Sequence, residues 1–328
     1  MKKTVVFGEF SSSLIPQRFS NFPAVNYYNH LNENNGINAA FSLVDLGIPV
    51  DMITCLPKNH IGDFALAEMS RRGIGVEHVI LEGDRIDIYF LETTKDIKGS
   101  KVVYDWWYAA MKNFKKGTIN WNHVFFGVGW FHWNLSTLTI SEDLPSVCLE
   151  AVKEANRLGI RISVNLNSNH KFWRNHSKKE VILNELISYC DVIVFDIKEI
   201  EKLLKLKLVS VHNTNDVYDE KEIISKCSLL KSKFPNIKKI ITTYKKFRPE
   251  SQNTWVNVLY DHDTFYEGYS DETAEFPNEI SIGANYIGSL IYALMAYPQD
   301  NQKAINAVTA NQVLTFPVKN EDYSETII

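Results

Sequence analysis

Of the places in this 328-residue chain where chemistry could reside, the first is the run Ile280 to Tyr297, Ile-Ser-Ile-Gly-Ala-Asn-Tyr-Ile-Gly-Ser-Leu-Ile-Tyr-Ala-Leu-Met-Ala-Tyr. Small residues leading straight into a long apolar run predict a loop opening onto a helix N-terminus, whose unpaired N–H groups and partial positive charge hold anions. No carboxylate occurs from Ile280 to Gln299, so such an end would hold an anion without a base beside it. His123, His132, His170 and His176 lack metal-ligand spacing and read as core or surface histidines. Ser11-Ser12-Ser13 has no G-x-S-x-G context to make a nucleophile. The aromatic group Trp106-Trp107-Tyr108, with Trp130 and Trp133, would pack a lid or interface, or else floor a pocket for an uncharged ring. Cys55, Cys148, Cys190 and Cys227 are far apart and form no CxxC, which predicts reduced thiols rather than a disulfide frame or zinc site.

These residues must be positioned by an ordinary globular chain, with 45% hydrophobic and 23% charged residues. A formal net charge of −4 gives no reason to expect nucleic acid or an anionic membrane as partner. The Lys-rich stretches 198–207 and 238–246 read as solvated helix faces and strand ends. The N-terminus enters a strand at once without an apolar signal core, and no run approaches the roughly 20 apolar residues of a membrane span. The expectation is a soluble cytoplasmic protein.

Along the chain, Thr4–Glu9 predicts a buried first strand, and Phe10–Asn35 a polar, aromatic segment able to form lid strands. Ile37–Leu46 reads as a helix stopped by Gly47, Val50–Leu56 as a strand, and Ile61–Arg72 as a helix closed by Gly73. Ile86–Thr93 and Lys101–Trp107 alternate like an antiparallel pair outside the main sheet, and Val124–Trp133 reads as a buried strand. Beyond Ser141 helices and strands alternate: helix Leu144–Leu158, strand Arg161–Leu166, helix Lys179–Tyr189, strand Asp191–Phe195, helices Lys198–Leu204 and Glu220–Phe234, strand Lys239–Thr243. A hairpin at Trp255–Tyr260 and Thr264–Gly268 and a helix from about Gln302 to Leu314 complete the chain. This order predicts an α/β fold, a mostly parallel sheet with helices on both faces, and ligands beyond the carboxyl ends of its strands.

Several stretches in this order carry a resemblance. They are Asn38-Ala-Ala followed by Leu46-Gly47, Pro57-Lys58-Asn59-His60-Ile61-Gly62-Asp63, Ile88-Tyr89-Phe90-Leu91-Glu92-Thr93 and Lys101-Val102-Val103-Tyr104-Asp105. Gly129-Trp130-Phe131-His132-Trp133 and Leu290-Ile291-Tyr292-Ala293-Leu294 join them. Together they resemble the ribokinase/PfkB sugar kinases, nearest to the 2-keto-3-deoxygluconate kinase branch. The resemblance implies one ribokinase-like unit over residues 1–328, with a small β-sheet lid from about 10–35 and 86–107. It further implies ATP and Mg²⁺ as cofactors, a sugar or sugar-like ligand, and a homodimer through the lid. Its chemistry is transfer of the γ-phosphate to a sugar hydroxyl, which needs positioning, charge neutralisation and a base.

Carried over residue by residue, the resemblance meets changes at every part of the site. The family's catalytic Asp falls on Ala284, and Gly283 is what remains of the glycines that hold the anion. The Gly-Gly-x-x-Asn motif reads Asn34-Asn35-Gly36-Ile37-Asn38, which keeps Asn38 alone. Tyr89 and Tyr104 stand at substrate-contact positions. Trp106 replaces the Arg after Tyr-Asp, and Asn165-Leu166-Asn167-Ser168-Asn169 replaces Asp-Leu-Asn-Tyr-Arg, so both arginines suited to a substrate carboxylate are missing. On the nucleotide side Asn-x-x-Glu becomes Asp196-Ile197-Lys198-Glu199, with Glu199 available for a metal. Lys245, in a loop without glycine, is a phosphate contact or an exposed strand-end lysine. The expectation is a catalytically impaired, pseudokinase-like protein that binds a ligand or partner. Two alternatives stand beside it. One is an active kinase with a base relocated to Asp196, Glu199 or a carboxylate from Asp271 to Glu279, and the other is a structural dimer partner for an intact paralogue.

Overall fold

The computed structural model describes residues 1–16, 28–31, 35–92, 101–105, 108–166, 179–196, 200–204, 220–246, 254–268 and 279–315. Its centre is β1 (Lys3–Phe7), whose Val5, Val6 and Phe7 are completely buried. A β-branched and aromatic run of this kind suits a strand covered on both faces. The chain leaves the main sheet for β2 (Ser11–Pro16) and β3 (Tyr28–Leu31), then forms α1 (Asn35–Asp45), β4 (Val50–Ile53), β5 (Cys55–Leu56), α2 (His60–Arg71), β6 (Ile74–Gly75) and β7 (Ile80–Leu81). After β8 (Asp87–Glu92) and β9 (Lys101–Asp105) come a 3₁₀ turn at Ala110–Asn113, α3 (Trp121–Val124), β10 (Val128–Asn134), α4 (Leu135–Leu138) and α5 (Leu144–Arg157). The alternating half runs through β11 (Arg161–Asn165), α6 (Lys179–Ile187), β12 (Val192–Asp196), α7 (Ile200–Leu204), α8 (Glu220–Lys233) and β13 (Lys239–Lys246). It closes with β14 (Thr254–Asp261), β15 (Thr264–Gly268), α9 (Glu279–Ala296) and α10 (Asn301–Thr315).

Nine strands form the main sheet in the order β15-β14-β13-β12-β11-β10-β1-β4-β6. All neighbours from β13 to β6 are parallel, and β14 and β15 add an antiparallel edge. One apolar core packs α5, α6 and α8 on one face, and the other packs α1, α2, α9 and α10 on the opposite face. Beside this body stands a four-stranded sheet, β3-β2-β8-β9, built from the two stretches expected to form a lid.

Local signals explain most boundaries. In α2, Asn59 is the N-cap, its side chain accepting from the N–H groups of Ile61 and Gly62 at 3.0 and 3.2 Å. A Cβ on Gly62 would sit 1.8 Å from the Pro57 carbonyl oxygen, so the tight turn into this helix requires glycine. Gly73 ends it at φ +89°. Two expected strands differ. Residues 121–124 form a helical turn capped by Asn120, and Gly127, at φ +72°, turns the chain so that the strand begins at Val128. The expected strand Val50–Leu56 divides, because its last residues pair with Ile80–Leu81 in a separate two-stranded sheet.

Candidate functional site

Sheet order locates the crevice. From β1 the chain adds β4 and β6 on one side, and β10 through β13 on the other. The order therefore reverses between β1 and β10, and ligands of open α/β sheets lie outside the carboxyl ends of the strands at such a reversal. Here Phe7 pairs with Trp133, and Asn134, the last residue of β10, pairs with Asn165. Gly8 and Glu9 follow β1 directly.

Polar groups gather there without neighbours to satisfy them. Asn134 is 1% exposed, yet neither its amide oxygen nor its amide nitrogen has a hydrogen-bond partner. His132, two residues earlier and so on the same strand face, has its Nδ1 2.8 Å from Ser163 Oγ, which also accepts from Trp130 Nε1 at 2.7 Å. Complete burial pushes the His132 imidazole down to about 4. The Asn134 amide lies near the ring and opposes that shift, without reaching good hydrogen-bond geometry. Ser136 Oγ is likewise unpartnered. Native proteins satisfy nearly all such buried groups, so a cluster of exceptions calls for a water or a ligand.

A pair of acids occupies the junction between sheet and lid. Glu9 is 7% exposed and Asp87 2%. Thr137 Oγ1 donates to the Glu9 carboxylate, and burial still raises that group above the usual carboxylate range. Asp87 has no partner for either oxygen. Burial, reinforced by the charge of Glu9, pushes it up to about 8 against the opposing pull of Arg85 and Lys112. Arg85 Nη2 lies 2.5 Å from Asp105 Oδ2, while the buried Arg85 Nε has no hydrogen-bond partner.

The lid register places the expected contact residues relative to this pair. Ser11 lies beside Asp87 and Ser13 beside Tyr89 in the parallel β2–β8 pair, and Tyr89 is opposite Tyr104 in the antiparallel β8–β9 pair. Asp87 and Tyr89, two apart on one strand, share a face of the lid. Asn38, in the first part of α1, is 8% exposed. Helix α1 meets α9 closely: a Cβ on Gly288 would lie 2.4 Å from Ser42 Cβ and 3.0 Å from the Ala39 carbonyl oxygen.

The opening of α9 departs from the expected loop. Gly283 and Ala284 are the fifth and sixth residues of a helix that begins at Glu279. The Gly283 N–H therefore faces the Glu279 carbonyl within the helical ladder, and the free N–H groups belong to the first turn, at Glu279, Ile280 and Ser281. Ser-Ile-Gly-Ala contains neither proline nor a stop signal, and one interior glycine costs only about 1 kcal/mol. The close α1–α9 contact holds the apolar remainder of the helix.

Asp196 ends β12, and Lys245 pairs with Trp255 in β13. Trp106, Asn167, Asn169 and Glu199, as well as His170 and His176, lie outside the described residues. Trp130 and Trp133 are buried in opposite cores and form no common platform, while Tyr108 is largely exposed. All four cysteines are free and buried. Among the described residues, no group of three or more His, Cys, Asp or Glu side chains is placed to hold a metal. Residue patterns did not single out Glu9, Asp87 or Asn134. The available signal was an aspartate inside the apolar-aromatic run Ile86–Phe90.

Solved structures share this architecture. The 2-dehydro-3-deoxygluconokinase of Thermotoga maritima superposes with a TM-score of 0.83 at 24% identity, over 97% of this chain and 95% of that one. An Enterococcus faecalis protein assigned provisionally as a 2-keto-3-deoxygluconate kinase gives 0.83 at 18% identity, over 97% and 92%. An E. coli protein assigned provisionally as a ribokinase II, in complex with ATP and Mg²⁺, gives 0.73 at 17% identity, over 96% and 92%. No curated protein matches the chain. No helix among the described residues is long and apolar enough to cross a membrane. The family model for pfkB carbohydrate kinases matches residues 1–242, and with the ribokinase-like fold in place the chain belongs to the pfkB family of carbohydrate kinases.

Proposed function

We propose that this protein is a pfkB-family sugar-kinase homologue that has kept a ligand site and lost efficient phosphoryl transfer. The observation that carries the reading is the opening of α9. Ala284 stands at the position that the resemblance gives to the catalytic Asp, and no carboxylate follows before Asp300. Alanine cannot take a proton from a sugar hydroxyl, and loss of a general base lowers a rate on the order of 100- to 10,000-fold.

The cofactor side supports binding in outline. Asp196 offers a hard oxygen at the carboxyl end of β12, of the kind Mg²⁺ takes, and the first turn of α9 offers free N–H groups to a phosphate. Lys245 and Glu199 complete the set implied by family. The names of the Thermotoga and Enterococcus proteins point to a 2-keto-3-deoxy sugar acid. Trp106 and Asn169 stand where that branch has arginines, so such a substrate would lose its charge partners. A homodimer formed through the lid, which the resemblance implies, belongs to the same reading.

Purified protein incubated with ATP, Mg²⁺ and a panel of neutral sugars and sugar acids is expected to form phosphorylated product at a rate about 100-fold or more below the roughly 1–100 s⁻¹ typical of kinases, if at all. Product that co-purifies with the protein and forms within that ordinary range would overturn the reading. One observation favours an active kinase instead: Glu279 opens α9 one helical turn before Gly283. If product forms and Glu279→Gln abolishes it, that second reading replaces the first.

A further inference from the structure

We propose that Glu9 and Asp87 form a proton-held latch at the hinge of the lid, shut while the two buried carboxyls share a proton and released when both are ionised. The latch is a property of the fold and holds whether or not the protein transfers phosphate.

Three of the crossings between body and lid meet at this pair. The first is Gly8-Glu9-Phe10, which joins β1 to β2, and the Gly8 N–H is still bonded to the Ile53 carbonyl of the body at 3.2 Å. The second is Arg85-Ile86, which leads into Asp87 at the start of β8. Ser11 is in register with Asp87, so these two crossings enter the lid side by side. The third leaves β9 after Asp105 and returns through Tyr108, whose φ of +61° is a costly backbone angle for a bulky residue. Ala109 then bridges to Arg85, and the Ala110 N–H donates to the Arg85 carbonyl at 2.8 Å. Met111 fastens this return to the body, its sulfur accepting from the Cys55 N–H at 3.2 Å. Arg85 ties the second crossing to the third, through Nη2 to the Asp105 carboxylate.

Charge at this point is poorly compensated. Asp87 is buried and neither of its oxygens has a hydrogen-bond partner. The charged groups that bear on it are Glu9 from the first crossing, Arg85 from its own, and Lys112 from the 3₁₀ turn. The Cys55 thiol of β5 also feels its charge, and Thr137 of α4 donates to Glu9. Burial and the charge of Glu9 outweigh the two cations and hold Asp87 up to about 8, a titration that belongs to the coupled pair. Arg85 helps little as it stands, because Nη2 is on Asp105 and the buried Nε has no partner, so it reaches neither Asp87 oxygen. A second ionisation is relieved in one of two ways. Either the lid lifts and water reaches both carboxylates, or Arg85 turns from Asp105 to Asp87 and frees the third crossing. Both loosen the hinge. With the lid lifted, Asp87 returns towards its ordinary 3.8, so closing takes up a proton between about 4 and about 8. The closed state is therefore favoured on the acid side, and closing weakens by about tenfold for each pH unit across that window.

Hydrogen exchange of the full chain at pH 6 and pH 8, read by mass spectrometry and corrected for the intrinsic pH dependence of exchange, tests the latch. Amides of residues 8–12, 84–88 and 108–111 are expected to lose protection by about 10- to 100-fold between the two pH values, while those of β11 and β12 keep theirs. Asp87→Asn and Glu9→Gln, each checked for native circular dichroism, leave a single carboxyl and are expected to show a smaller loss. The double variant is expected to show none. Equal protection of the wild-type hinge at both pH values overturns the proposal, as does a loss that persists undiminished in both single variants. A loss shared equally by β11 and β12 would mark global unfolding and overturns it as well.

Discussion

A carboxyl group with no partner is expensive to bury, and Asp87 makes that cost measurable. Its folded pKa, raised to about 8 from an ordinary 3.8, lies above the unfolded value, so the folded state binds the extra proton. Stability associated with this group is therefore present at acid pH and lost as pH rises from about 4 through about 8. The groups that face it, Glu9, Arg85 and Lys112, are unchanged by Asp87→Asn, which deletes the titration alone. The variant is expected to be more stable than wild type at pH 8, by ~1–3 kcal/mol, with the advantage shrinking towards pH 5. Urea melts at both pH values check this, and an advantage independent of pH would contradict it. Sequence alone did not reveal Asp87. An acid within Ile86–Thr93 looks like the solvent side of an alternating strand, and only the meeting of lid and sheet buries it. The absence of a carboxylate at Ala284 was legible because it is a question of which atoms exist, not of where they point.

At the scale of elements, the strands and helices of the α/β body were readable from β-branched runs, apolar periodicity and punctuating glycines. Strand β1, helix α2 and the β14–β15 hairpin are examples. The start of α9 was not readable, because Ser-Ile-Gly-Ala is compatible with a loop or a helix, and packing against α1 decides. That contact supplies its own test. Valine at position 288 would place atoms 2.4 Å from Ser42 Cβ, and overpacking of this kind typically costs 1–3 kcal/mol. Gly288→Val is expected to lower the urea midpoint by a corresponding amount, and an unchanged midpoint would show that α1 and α9 do not approach so closely. The α2 cap gives a smaller, local effect. Asn59→Ala removes the acceptor for two N–H groups and the 2.8 Å bond from its Nδ2 to the Asp84 carbonyl. It is expected to cost about 1 kcal/mol in the same melt, whereas a loss near zero would mean that water replaces the cap.

At the scale of the whole molecule, the chain superposes on a Thermotoga kinase over 97% of its length at only 24% identity, so the fold is shared although most residues differ. The thiols report on its core. Burial pushes Cys55 and Cys227 up to about 12 and raises Cys148 and Cys190 strongly as well. All four are expected to resist a thiol reagent in the native protein at pH 7 and to react together on global unfolding. Rapid labelling of one thiol in the folded state would reveal local opening. The central claim, that the fold outlived its phosphoryl transfer, is tested most directly by single-turnover assay with excess protein, γ-labelled ATP, Mg²⁺ and the neutral sugars. The account predicts transfer slower than the roughly 1–100 s⁻¹ typical of kinases by on the order of 100-fold or more, and transfer within that ordinary range would contradict it.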